Sequence, residues 1–321
     1  MTIKDIAQIS GVSKSTVSRY LNGGSISKKN AEKIERVIKE TGYKPNMIAS
    51  RLKAKQSHLI GILVTELKTK SVGIILDSLQ RELRKHGYQL FIMSNFLGED
   101  NTISNLELLV EQGVDGIIFG ASKIEKETLQ YLATLKMPVL ILGQKSEIFP
   151  YCKADDYQAG LIMGKYIKTK TQDKITYLSM PLYDLAAGKE RLDGFLAGIG
   201  NKDKVNVIEC DYFPSSVYKK RAELLAANNK TVVCASDQLA LGLLKTIRDY
   251  KWKVPQDIQF AGFGNYDYTD DFALSITSID LDYQQVGVNV ANKITKLVEH
   301  KKISNDNNYH LKLMKRHSTE G

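Results

Sequence analysis

Residues 1–22 read MTIKDIAQISGVSKSTVSRYLN, and the reading of this stretch decides what the rest of the chain is for. Thr2 and Asp5 stand at the spacing of a helix N-cap and its third-position carboxylate. Ile3, Ile6, Ala7 and Ile9 follow as one short apolar face. Gly11 supplies a residue able to take the left-handed conformation that ends a helix. Ser13 is a second N-cap, with Val12 as its apolar neighbour. A second helix over 14–21 then buries Val17, Tyr20 and Leu21 and shows Lys14, Ser15, Ser18 and Arg19 on its other face. Short hydroxyls beside long cations are ill suited to a core and well suited to base edges and phosphates.

Charge supports that reading. The chain has 321 residues and a net charge of +9. Residues 1–58 hold nine Lys and three Arg against one Asp and three Glu, a local net charge of +8. The positive excess is therefore confined to the first part of the chain, which points to a polyanion partner there and not to general adhesion. Hydrophobic residues make up 43% and charged residues 25%, a globular composition. Cys152, Cys210 and Cys234 are odd in number and far apart, as expected for reduced thiols in a cytoplasmic protein. The scattered histidines and the absence of a CxxC pair give no metal site. No signal-peptide core or membrane-length apolar run is evident.

Ser27 is placed to cap a third helix over 27–41, with Ala31, Ile34, Val37 and Ile38 inward and Gly42 ending it. The next stretch, YKPNMIASRLKAKQS over 43–57, has Pro45 as a breaker and Asn46 as a cap. It then offers too few helix formers for an isolated helix. Arg51 and Lys53 flank Leu52 there. From residue 59 the texture becomes alternating strand and helix. Apolar runs at 59–65, 88–95, 114–120 and 139–143 are separated by amphipathic stretches, and the pattern restarts at 175–180, 205–210, 231–236 and 258–263. Continuous apolar strands between helices predict parallel sheets covered on both faces. Two such lobes, with crossovers expected around 150–165 and after 264, leave a cleft at the carboxyl ends of the strands. The loops there are rich in hydroxyl, amide, carboxylate, aromatic and arginine groups, the donors and acceptors that a polyhydroxylated ligand needs. No nucleophile–base pair stands at a motif spacing, and the glycines form no phosphate loop, so an enzyme is not expected.

TIKDIAQISGVSKSTVSRYLNG resembles the DNA-binding headpiece of the lac/galactose repressor family, and the body resembles the sugar-sensing core of the same repressors. The resemblance implies a helix-turn-helix headpiece followed by an α/β core of two parallel-sheet lobes like a periplasmic binding protein. It implies DNA contacts from Thr2, Lys14, Ser15, Thr16, Ser18, Arg19 and Asn22. A hinge helix would add Asn46, Ala49, Leu52 and Lys53, with Leu52 wedging into a minor-groove step. ERLDGF matches the family motif that carries an effector-binding arginine, here Arg191. Asp211 and Tyr212 match its aromatic segment, and CASDQLALG places Ser236 and Asp237. Where the family has a sugar-binding aspartate, this chain has Gly264, with Asn265 or Asp267 as replacements. Ser71, Val72, Ser122 and Asp155 complete the expected effector contacts. GFGNYD together with SRYLNGGSIS resembles the sucrose-operon repressors.

The expected domains are a headpiece over 1–45, a hinge over 46–57 and a core over 58–321. Within the core, lobe 1 is expected over 58–157 plus 265–283 and lobe 2 over 158–264 plus 284–321. The expected protein is a cytoplasmic, nucleoid-associated homodimer that represses a carbohydrate operon from a pseudo-palindromic operator. Sucrose, fructose or a phosphorylated form would release it, and no metal or other cofactor is needed. Lys68, Lys70 and Lys145 are the lysines offered for a phosphate. A C-terminal leucine heptad helix, which marks tetrameric members, is not seen. Two alternatives remain at this point: a regulator tightened on DNA by a co-repressor, and a sugar-binding transport protein.

Overall fold

A computed structural model describes residues 1–21, 24–43, 56–64, 66–95, 101–270, 275–304 and 309–320. The chain divides into two compact units, Met1–Ser57 and His58–Gly321. In the first, helices α1 (Ile3–Ser10), α2 (Lys14–Leu21) and α3 (Lys28–Thr41) close around Ile6, Val17, Ile34, Val37 and Tyr43. Gly11 ends α1 at φ 64°, and the Ser13 hydroxyl accepts from the Thr16 amide at 3.1 Å to start α2. Two expectations need correction. Ile9 is 53% exposed, at the edge of the apolar face and not within it. Ser27 stands at the α3 cap, but its side chain makes no capping bond.

The second unit holds two sheets. Strands β1 (Leu59–Val64), β2 (Gln89–Ser94), β3 (Gly116–Gly120), β4 (Val139–Leu142) and β5 (Tyr151–Cys152) form a parallel sheet in the order β2-β1-β3-β4-β5. Its helices are α4 (Lys70–Lys85), α5 (Thr102–Glu111) and α6 (Lys126–Thr134). The other sheet takes β6 (Ile175–Ser179), β7 (Val205–Glu209), β8 (Thr231–Cys234), β9 (Gln259–Phe263), β10 (Thr277–Asp280) and β11 (Lys312–Met314) in the order β11-β10-β9-β8-β6-β7. Only β11 runs antiparallel. The remaining helices are α7 (Asp156–Lys170), α8 (Arg191–Ile199), α9 (Pro214–Lys219), α10 (Arg221–Ala227), α11 (Asp237–Asp249) and α12 (Tyr283–Val298). Interior strands such as β1, β3 and β8 are buried along their whole length, as a sheet covered on both faces requires.

The expected lobe assignment differs from this arrangement in its C-terminal part. Residues 265–283, expected in lobe 1, carry β10, which pairs with β9 in the second sheet. The 284–321 segment, expected in lobe 2, is split. Its helix α12 packs along α4 of the first lobe, whereas β11 pairs with β10 in the second. The chain thus makes the three crossings that the sequence reading has, but the last two fall elsewhere, between β10 and α12 and between α12 and β11.

A further helix replaces part of the crossover expected at 150–165. Helix α7 lies against α8 with glycines at the contact. A Cβ on Gly160 would stand 2.1 Å from the Arg191 carbonyl, and one on Gly194 would stand 2.0 Å from the Tyr157 carbonyl. The two backbones therefore touch directly, and the helix starts meet at Asp156 and Arg191.

Candidate functional site

On the headpiece, α2 presents Lys14, Ser15 and Arg19 as exposed side chains, with Thr16 and Ser18 half-buried beside them. The Ser13 hydroxyl lies 2.7 Å from that of Thr16 and 2.8 Å from that of Ser15, which orders the first turn. Thr2 closes the capping box of α1: its amide donates to Asp5 Oδ2 at 2.7 Å, and its hydroxyl accepts the Asp5 amide at 3.4 Å. The Thr2 bonds draw the Asp5 carboxyl below its ordinary value. Gly24 donates its amide to the Arg19 carbonyl at 2.8 Å, and a Cβ there would stand 2.5 Å from Arg19 Cγ. The chain after α2 thus needs a glycine to pass under the arginine. Asn22, Asn46, Ala49, Leu52 and Lys53 lie outside the described residues.

In the second unit, a cleft opens at the carboxyl ends of the strands, where the loops of the two lobes face each other. It has two adjoining chambers of about 250 and about 160 Å³. Ser71, Val72, Ser122, Asp184, Ala187, Arg191 and Tyr283 border both. The larger chamber is walled by Tyr183, Tyr212, Tyr266 and Tyr283. The smaller is walled by Gly120, Ala121, Gly143 and Ala154 together with the aliphatic Val64, Ile75, Leu142 and Val286.

Of the ten expected effector residues, the fold brings six to this cleft. Ser71, Val72, Ser122, Arg191 and Tyr212 line it, and Ser236 does so while its hydroxyl caps α11 by accepting the Leu239 amide at 3.2 Å. The other four stand elsewhere. Asp155 caps α7, accepting the Gln158 amide at 3.1 Å, and borders a separate recess. Asp237 is fully buried and accepts the Ser278 hydroxyl at 2.8 Å on each carboxylate oxygen. Burial pushes it up to about 7. Asn265 turns to Asp280 at 3.0 Å and accepts from Arg316 at 2.7 Å. Asp267 pairs with Lys70 of the other lobe at 2.9 Å. Helix caps and loop pairings claim these groups, and nothing in the local sequence distinguishes such uses from ligand contacts.

Arg191 itself is only 2% exposed. It donates to Asp156 Oδ1 through Nε at 3.1 Å and Nη2 at 2.5 Å, to the Ala235 carbonyl, and to the Tyr283 hydroxyl at 3.3 Å. Its guanidinium lies 5.1 Å from the centre of the Phe263 ring. Burial alone would lower its basicity, but Tyr283 and Asp156 outweigh that and hold it above the usual arginine value.

Asp156 and Tyr283 are site residues that the sequence reading missed, whereas Asp184 and Tyr266 fall in the loops 183–191 and 264–267 expected at the cleft without being singled out. Asp184 accepts the Ala186 and Ala187 amides at 3.1 and 3.0 Å and the Tyr212 hydroxyl at 3.2 Å. It thereby caps a π-helical turn, Leu185–Glu190, that leads into α8. Burial raises its carboxyl above the ordinary range. Tyr266 owes its place to Gly264, which sits at φ 127° and whose missing Cβ would stand 2.5 Å from the Tyr266 ring. The ring stacks on Tyr283 with centroids 6.3 Å apart. Where the resemblance implied a lost carboxylate, this chain therefore has an aromatic wall. The signal was present in the GFGNYD run, since only glycine leaves room for a ring two residues on.

A helix-turn-helix headpiece and a two-lobed α/β core with a ligand-sized cleft define a ligand-responsive regulatory protein. Residues 2–46 match the model of the bacterial regulatory proteins of the lacI family. Residues 57–313 match that of the periplasmic binding proteins and sugar binding domain of the LacI family. The chain belongs to the LacI family and is a DNA-binding transcriptional repressor, not an enzyme. It is 29% identical over 304 residues to the sucrose operon repressor of Staphylococcus xylosus, covering 94% of this chain and 95% of that one. It is 27% identical over 302 residues to the transcriptional regulator TreR of Salmonella typhimurium, covering 93% and 94%. The fold matches the lac repressor dimer bound to operator and the anti-inducer ONPF with a TM-score of 0.89 at 22% identity, over 99% of each chain. A CelR–cellobiose complex matches with a TM-score of 0.73, also at 22% identity and over 99% of each. Among the described residues no helix is long and apolar enough to cross a membrane, and no group of acidic, histidine or cysteine side chains is placed to hold a metal.

Proposed function

We propose that this repressor controls a carbohydrate-utilisation operon and leaves its operator when a sugar fills the interlobe cleft. The observation that carries the reading is the cleft itself: hydroxyl, amide and carboxylate groups set among four tyrosine rings. Polar groups fix the hydroxyls of a sugar, and aromatic faces cover its C–H side. The likeness to a sucrose operon repressor supports sucrose, fructose or a phosphorylated form as candidates.

On DNA, Lys14, Ser15 and Arg19 would read base edges from the major groove, and Thr2, Thr16, Ser18 and Asn22 would hold the backbone. The resemblance adds Asn46, Ala49, Leu52 and Lys53 as contacts at the operator centre. The protein acts as a homodimer on a pseudo-palindromic site. Phe91 and Ile92, exposed on the edge strand β2, offer apolar surface for a second copy. Sugar binding favours one arrangement of the two lobes over another, and the release of DNA follows from that difference.

The reading is tested by titrating sugars against the full-length protein on a labelled operator duplex. Loss of affinity on adding the cognate sugar supports it, and tightening would make the sugar a co-repressor. A panel without effect on DNA binding contradicts it.

A further inference from the structure

The two chambers of the cleft have different walls, and their charged groups are already committed. We propose that the ligand of this cleft is an uncharged carbohydrate of two linked rings, one seated in each chamber. The proposal rests on the sugar-responsive reading above and adds the size and charge of the ligand.

Size comes from the volumes. Neither chamber, at about 250 and about 160 Å³, reaches the roughly 300 Å³ at which ordinary small-molecule pockets begin; joined, they do. The walls tell the two rings apart. The larger chamber is lined by the half-exposed Tyr183 and by the more buried Tyr212, Tyr266, Tyr283 and Met180, which together give apolar surface for the C–H side of a ring. In the smaller, Gly120, Ala121, Gly143, Ala154 and Ala186 leave space where longer side chains would fill it. Ser71, Ser122, Asp184 and Arg191 stand at the junction, where the link between rings would pass.

Charge comes from the pairing. Among the described residues the chambers are bordered by three cations, Arg191, Lys123 and Lys153. Each faces a carboxylate: Asp156, Glu125 and Glu190 respectively. Lys68, Lys70 and Lys145, offered for a phosphate by the sequence, border neither chamber. Asp184, by contrast, borders both and is held by amides and a hydroxyl. A phosphate would have to displace a carboxylate from the buried Arg191 or Lys153 or from the exposed Lys123, and would still lie near Asp184. A sugar hydroxyl can simply donate to it.

Calorimetric titration of the full-length protein tests this with three groups of ligand. These are sucrose, trehalose, cellobiose and lactose; glucose, fructose and galactose; and the 6-phosphates of sucrose and trehalose. One neutral disaccharide is expected to bind at least about tenfold tighter than its constituent sugars and than any phosphorylated sugar, a difference of about 1.4 kcal/mol. Ala186→Leu, which fills the smaller chamber alone, should erase that advantage while one constituent sugar still binds. A monosaccharide that binds as tightly as every disaccharide, or a phosphorylated sugar that binds tightest, overturns the proposal and leaves the sugar-responsive reading standing. If no sugar of any group binds, that reading falls as well.

Discussion

Arg191 and Asp156 form an ion pair at the base of the cleft, Nη2 to Oδ1 at 2.5 Å, with side chains only 2% and 5% exposed. The arginine is at once a cleft wall and a structural tie between the starts of α7 and α8. Its removal would strand the Asp156 carboxylate in a dry site. Arg191→Ala is therefore expected to lose about 3–5 kcal/mol of unfolding free energy for the core, the cost of breaking a buried pair. Denaturant titration checks this. A loss of sugar response with full stability would show the arginine to be a ligand group only.

The tie depends on the glycines beneath it. Gly160 and Gly194 let the α7 and α8 backbones touch, and a methyl group at either would strike a carbonyl near 2 Å. Gly160→Ala or Gly194→Ala should cost about 1–3 kcal/mol by overpacking. Ala159→Gly on the same helix should not separate the helices, which makes it a control for helix propensity in the same denaturation experiment.

That helix pair also shows where the sequence was legible and where it was not. Strands β1–β4 and β6–β9 were readable as largely apolar runs between helices, whereas the parallel strands β5 and β10 are short or polar and carry no such run. Helix α7 escaped because its inward stripe is built largely of small residues, Ala159, Gly160 and Gly164 around Met163, with an aspartate at its start, so it carries little apolar contrast with its exposed face. Asp155 was expected at the cleft, yet its neighbour Asp156 makes the contact, a choice set by the helix start and invisible in composition. Tyr283 and Tyr266 meet across 17 residues of sequence because β10 returns the chain to the second sheet and α12 then leaves it. No local pattern encodes that return, which is also why the lobe assignment of the C-terminal segment went astray.

Asp237 gives the core a pH dependence. Burial holds its carboxyl at about 7, above the 3.8 of an ordinary aspartate. In the window between those values the folded state binds a proton that the unfolded state has released. The contribution to stability is therefore full below the window and is lost as pH rises through about 7. Asp237→Asn removes the titrating group. The difference in denaturation midpoint between the wild type and this variant should change between about pH 4 and about pH 7 and stay constant above. A constant difference across the whole range would contradict the assignment.

The headpiece should be separable from all of this. Lys14→Ala and Arg19→Ala remove exposed cations of α2, so operator affinity should fall while the thermal unfolding of the core stays unchanged. For a cation that neutralises a phosphate, the slope of log affinity against log salt should drop by about one. For one that reads a base, discrimination between operator and random DNA should narrow instead, by about 1–3 kcal/mol.

In the proposed function, occupancy of the Arg191–Tyr283 cleft governs the protein's hold on DNA. The most direct measurement is fluorescence anisotropy of a labelled operator duplex with the full-length protein at fixed salt. A sugar already shown by calorimetry to bind the same preparation is then titrated in. Anisotropy is expected to fall to the free-DNA value over the concentration range in which the sugar binds. A sugar that saturates the protein while anisotropy stays at the bound value would contradict it.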